Sequence, residues 1–160
     1  MYRRGLELES DYPALLEMER QSWRINFPGE YFVERAFRRE LEFASEHDIH
    51  IYEEDGDIVA WLWLDLYAGR DRAHIRHLQV AEPYWGQGIG RFLVNQALLM
   101  AAEAHREQLT LNVTKSNLRA MRLYSRSGFV VLRDMGERQH MGRWVPPLEP
   151  VPDSSLGAPR

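Results

Sequence analysis

The chain contains no cysteine. That excludes disulfides, thiolate metal centres and a cysteine nucleophile, and it suits a cytoplasmic setting. No apolar run approaches the ~20 residues that a membrane-spanning helix needs. The opening MYRRGLELES is charged and has no apolar stretch of the kind a secretory signal carries. Basic charge is not in excess: the formal net charge is -4, which leaves no footprint for nucleic acid. No internal repeat is visible.

What is there is a chain of 160 residues, 44% of them hydrophobic, long enough to bury a core as one domain. We assign residues 1–148 to that domain. Residues 149–160 read as a tail: Pro146, Pro147, Pro150, Pro152 and Pro159 punctuate VPPLEPVPDSSLGAPR, and such a segment continues neither sheet nor helix.

Apolar periodicity predicts the element order β-α-α-β-β-β-α-β-α-β-β. Leu6 and Leu8 alternate with charges as a first strand. Ser10 and Asp11 offer helix caps, Pro13 suits an early helical position, and Leu15, Leu16, Met18 and Trp23 supply the apolar side. Pro28 and Gly29 break the pattern before a second helix striped by Val33, Phe37, Leu41 and Ala44. Asp55-Gly56 marks a hairpin turn. AHIRHLQV is a strand, Ile89 to Ala104 a long helix, QLTLNV a strand, and Asn117 caps a short helix that Gly128 closes. FVVLRDM and QHMGRWV end the sheet. Antiparallel hairpins around a central β-α-β unit predict an α+β fold with helices on both faces of the sheet.

VAEPYWGQGIGRFLV, residues 80–94, places glycines at 86, 88 and 90. Glycine weakens a helix or strand interior by roughly 0.5–1 kcal/mol relative to alanine, so three at alternate positions need a further reason. The stretch joins a strand to a helix, and the amides of a helix N-terminus bind anions. Glycines let phosphate oxygens approach those amides closely, since no Cβ stands in the way. We read a pyrophosphate site on the amides of Gln87, Gly88, Ile89, Gly90 and Arg91. The competing reading, a flexible turn, fits one glycine better than three. A P-loop would need a lysine that is absent, and the dinucleotide fingerprint is Gly-x-Gly-x-x-Gly where this chain has Gly-x-Gly-x-Gly.

LQVAEPYWGQGIGRFLV resembles the acetyl-CoA-binding motif of the GCN5-related N-acetyltransferase family (Arg/Gln-x-x-Gly-x-Gly/Ala), and NLRAMRLYSRSGFV resembles that family's second hallmark, Asn-x-x-Ala-x-x-Leu-Tyr-x-x-x-Gly-Phe. The resemblance covers residues 3–145 and extends to the element order. One departure stands out: the first motif position, usually Arg or Gln, is Trp85. The resemblance implies the acyl-CoA N-acyltransferase fold, a mostly antiparallel twisted sheet of about seven strands with helices on both faces. It implies acetyl transfer from acetyl-CoA to a primary amine by direct attack, with no metal and with a homodimer allowed.

It further implies residue roles. Pantetheine would lie along the fourth strand beside Leu78, Gln79 and Val80, with the diphosphate on the turn from Gly86. Tyr124 would protonate the leaving thiolate, against the alternative of a tyrosine merely buried on its helix. Asn117 is a cap that would also touch pantetheine. Arg119, Arg122 and Arg126 could reach the ribose phosphate. The base is His74, His77 or a water; strand alternation puts His74 on one side with Arg76, Leu78 and Val80, and His77 on the other. The acceptor would lie against Phe27 and Tyr31, with Trp23 and Phe32 nearby and Trp63, Trp61 and Tyr67 on the opposite wall, as a small-molecule or peptide amine. Two alternatives are a non-catalytic acyl-CoA sensor of the same fold and a transferase for another acyl-CoA.

Overall fold

The computed structural model describes residues 1–149; the predicted tail beyond Glu149 lies outside the described residues. In chain order the elements are β1 (Tyr2–Arg4), α1 (Leu8–Asn26), α2 (Glu34–Phe43), β2 (Ile49–Glu54), β3 (Asp57–Asp65), β4 (Arg72–Val80), α3 (Ile89–Glu103), β5 (Gln108–Thr114), α4 (Leu118–Arg126), β6 (Val130–Asp134) and β7 (Arg138–Trp144). The order is the one the sequence predicts. The seven strands form one sheet, β1-β2-β3-β4-β5-β7-β6. Only β4 and β5 run parallel; every other pairing is antiparallel.

The first strand lies earlier than Leu6 and Leu8 suggest. Tyr2 pairs with Tyr52 of β2, and Leu8 already opens α1. A polar clasp explains the shift. The Asp11 carboxylate accepts the Glu7 amide at 2.8 Å and the Arg3 guanidinium at 2.6 Å. The chain is thereby wound into helix before Leu8 can join the sheet. Glu7, rather than Ser10 or Asp11, occupies the N-cap position.

Two apolar layers flank the sheet. On one face α3 buries Leu93, Val94 and Ala97 against Leu62, Leu64, Ile75, Leu109 and Leu111. On the other, α1 and α2 bury Leu15, Met18, Phe37 and Leu41 against Ile49, Ile51, Trp61 and Trp63. Each set follows the twofold alternation of its strand and the stripe of its helix.

The pairing register slips at Val59 of β3 and Leu132 of β6, and in β4 a third slip bears on the site. Trp63 pairs with His77 while the next residue, Leu64, pairs with Ile75, so Arg76 is an extra residue in a β-bulge. Beyond it the faces exchange. His74 stands on the α1–α2 side with His77 and Gln79, while Ile75, Leu78 and Val80 share the α3 side. The expected separation of His74 from His77 is therefore corrected: the bulge brings both imidazoles to one face. The same bulge ends the β4–β5 ladder, whose last pair is Ile75 with Leu111.

Leu93 is fully buried at 0% exposure. Leu93→Ala should cost about 2–5 kcal/mol of unfolding free energy, read as a lower urea midpoint with an unchanged m-value.

Candidate active site

Where β4 leaves β5, the space is bounded by the C-terminal half of α1, the turn after β4 and helix α4. It forms a cavity of about 440 Å³, within the range of small-ligand sites. Of the residues expected around a cofactor, Leu78, Gln79, Val80, Gly86, Gly88, Ile89, Gly90, Arg91, Asn117 and Tyr124 line it, and Gln87 does not. Gly86 (φ +77°) and Gly88 (φ +83°, the N-cap of α3) take left-handed torsions, which glycine adopts without strain. Gly90 has a different reason: a Cβ there would come 3.1 Å from Leu123 Cδ2, so its absence lets α3 and α4 close together. Among the described residues, no amide from Gly86 to Arg91 donates to a protein acceptor. These donors sit at the positive end of α3, where every residue of the run except Gln87 borders the cavity, an arrangement suited to an anion.

Trp85 is tied down on both sides. Its indole Nε1 donates to the Val80 carbonyl at 2.7 Å, and the Arg119 guanidinium lies 3.0 Å from its ring centroid. Arg119, Arg122 and Arg126 all border the cavity.

A second space opens on the α1–α2 side of β4 and β5. It comprises adjoining volumes of about 120 and 610 Å³ that share Glu19, His77, Asn112 and Arg138. Here α1 turns a carboxylate toward the sheet. Glu19 Oε2 accepts from Gln79 Nε2 at 2.6 Å and lies 3.3 Å from His77 Nδ1. Gln79 Oε1 in turn accepts the Trp61 indole N–H at 2.7 Å. The His77 ring stacks on Trp61 and Trp63, at centroid distances of 5.1 and 5.6 Å. Glu19 is 7% exposed and Gln79 9%, so these polar groups satisfy one another out of water.

His74 borders the larger of the two volumes. Its Nδ1 is 2.7 Å from Thr110 Oγ1, and its ring stacks on His140. Burial, with Arg72 next in effect, lowers its pKa to about 4. It is neutral near pH 7 and a poor base.

Tyr124 belongs to both spaces. It lines the first cavity and the smaller part of the second. Burial alone pushes its phenol up. Among the described residues its hydroxyl has no hydrogen-bond partner, unusual for a buried tyrosine. Asn117 caps α4 as expected, its Oδ1 accepting the Ala120 amide at 3.2 Å. Its Nδ2 donates to Asn26 Oδ1 at 3.0 Å, which ties α4 to the end of α1.

The profile of the acetyltransferase (GNAT) family matches residues 12–129. The chain belongs to this family. Among curated GNAT relatives, it is 36% identical over 75 residues to a streptothricin acetyltransferase of Streptomyces lavendulae, covering 47% of this chain and 40% of that protein. It is 33% identical over 94 residues to a mycothiol acetyltransferase of Jonesia denitrificans, covering 57% of this chain and 30% of that one. The chain thus spans well under half the length of these two relatives. The GNAT fold is also that of the PaiA N-acetyltransferase from Thermoplasma acidophilum, solved with coenzyme A. The two superpose with a TM-score of 0.72 over 90% of this chain and 98% of that one, at 22% identity.

Set beside the GNAT motifs, the acceptor residues divide. Phe27 borders both parts of the second space. Tyr31 does not: it is 86% exposed. Trp61 and Trp63 are buried beneath α1 and α2 by strand alternation. Both stack on His77, and Trp63 also borders a separate cavity with Asp65 and Arg76. Tyr67 is exposed and lies under Arg106. Glu19, Asn26 and Arg138 escaped the sequence reading. For two of them there was a signal: Glu19, Ser22 and Asn26 continue the buried stripe of Leu15 with polar residues.

His50, like His74, is held down at about 4, by burial first and Arg4 second. Both imidazoles take a proton more readily in the unfolded chain, whose histidines titrate near 6.5. The unfolded state therefore binds more protons between about pH 6.5 and 4, and stability falls as pH drops through that window. Urea midpoints should decline from pH 7 to 4.5, and His74→Gln should flatten the decline.

Proposed function

We propose that the protein is an acetyl-CoA-dependent N-acetyltransferase that acetylates a primary amine by direct attack. The observation that carries this reading is the position of Tyr124, whose side chain borders both the amide-lined cavity and the space holding Glu19 and His77. The first cavity fits coenzyme A. Unpartnered amides at Gly86 to Arg91 suit a diphosphate. The edge of β4 from Arg76 to Val80, unpaired toward β5, suits an extended pantetheine arm laid alongside it. When bound, acetyl-CoA supplies a thioester, an electrophilic acyl group on a thiol that must leave.

The chain's own residues then divide the proton work. Glu19, hydrogen-bonded by Gln79 and beside His77, accepts the ammonium proton and presents the amine as a free base. Geometry favours this pair over His74, whose Nδ1 is held by Thr110 and whose basicity burial removes. Tyr124 holds a proton at the junction: burial keeps the phenol neutral, and among the described residues its hydroxyl makes no hydrogen bond. Asn117 and Asn26 fix the wall between the two spaces. The reading carries with it a cytoplasmic location and a small-molecule or peptide amine as acceptor. It involves no nucleic acid, and it allows a homodimer.

Acetyl transfer to an amine panel tests it. Tyr124→Phe and Glu19→Gln should each lower kcat on the order of a hundredfold, with the KM for acetyl-CoA little changed. Full turnover by Tyr124→Phe would remove the acid assignment. Calorimetric binding of coenzyme A with no transfer to any amine would make the domain a sensor instead.

A further inference from the structure

Arg138 opens β7 opposite Thr114 of β5, on the α1–α2 face of the sheet. It borders both parts of the second space, together with Glu19, His77 and Asn112. Its guanidinium is always charged and carries five donors in a planar fork. Among the described residues no carboxylate lies within ion-pair distance of it. Its Nε is out of reach of solvent and has no hydrogen-bond partner. Among the described residues, the aromatic ring over it is that of Phe27, 5.5 Å from Cζ. Arg3 makes the contrast: comparably shielded, it is held by Asp11 at 2.6 Å and Glu53 at 3.1 Å. A half-buried guanidinium with an unmet donor is costly to keep, and here it borders a ligand-sized space beside the carboxylate that faces the amine.

We propose that the acceptor is an amine that also bears a carboxylate, as an amino acid does, and that Arg138 holds that carboxylate while the amine faces Glu19. The proposal rests on the acetyltransferase reading and adds the substrate class. Charge is matched at both ends of such a molecule. Glu19 would meet the ammonium and Arg138 the anion, and Glu40 and Asp65 border the same space. The aromatic rings of Trp23, Phe27 and Phe32 pack on one another at the border of the same space and suit an apolar side chain. A guanidinium grips a carboxylate through two parallel hydrogen bonds, which also orients the amine.

Two measurements on the full chain test this. In the first, acetyl transfer is compared for phenylalanine, phenylalaninamide and phenethylamine, and for the same triad built on methionine. The free acids should lead in kcat/KM by on the order of ten- to a hundredfold. Arg138→Gln should erase that lead through the KM of the acid, and Arg138→Lys should restore part of it. In the second, calorimetry compares N-acetylphenylalanine with its amide in the presence of coenzyme A. The acid should bind at least about tenfold tighter to the wild type, with the difference lost in Arg138→Gln. Urea denaturation of each variant verifies that it is folded. Equal binding of acid and amide by the wild type overturns the proposal, and so does transfer that ignores the carboxylate. Acid-selective binding with no transfer to any amine overturns the acetyltransferase reading and leaves the anion site standing.

Discussion

Parallel strands β4 and β5 hydrogen-bond only as far as Ile75 and Leu111, and the bulge at Arg76 is where the ladder opens. A sheet interior does not ordinarily leave backbone groups unpaired, because a buried donor or acceptor without a partner costs free energy. Here the opening is flanked by α1 on one side and α4 on the other. The bulge also reverses the facing of β4, which turns Leu78 and Val80 toward α3 and His77 and Gln79 toward α1. One extra residue thus creates the slot and sorts its walls, apolar toward the glycine turn and polar toward Glu19.

The polar side is costly by itself and holds together as a network. The Glu19 carboxylate is withdrawn from water, yet it receives the Gln79 amide and faces the His77 ring, and Gln79 is fixed by the Trp61 indole. The stacked rings of Trp61 and Trp63 lower the local dielectric and strengthen each of these contacts. Beside this network the Arg138 Nε is buried without a partner, as are His50 Nε2 and Gln139 Oε1 elsewhere, and among the described residues the Tyr124 hydroxyl makes no hydrogen bond. Arg138 and Tyr124 flank the same small space. Unused capacity beside a satisfied network is the pattern expected of groups kept for a ligand.

Much of this was legible in the sequence. The order of elements followed from periodicity, the Asp55-Gly56 turn takes positive φ at both residues as a tight hairpin requires, and Asn117 caps α4. The glycine run pointed to the amides at the start of α3. What could not be read was set by single departures from period. The Arg76 bulge moves His74 to the opposite face, and no residue type announces it. The Asp11 clasp starts α1 early through a contact with Arg3, eight residues away. Trp61 looked like a cavity wall because composition does not distinguish a ring beneath a helix from one beside a ligand. Arg138 lay beyond the second motif, and its importance comes only from what fails to surround it.

The turn before α3 has one more consequence. At Gly86 and Gly88 a Cβ would meet nothing within 4 Å, so the exclusion there is torsional and not one of volume. Handedness, not bulk, filters substitutions at these two positions. Asparagine, which visits left-handed torsions more readily than other side chains, is the mildest replacement. A small β-branched residue such as valine is worse than a long unbranched one, although a Cβ meets no neighbour at either position.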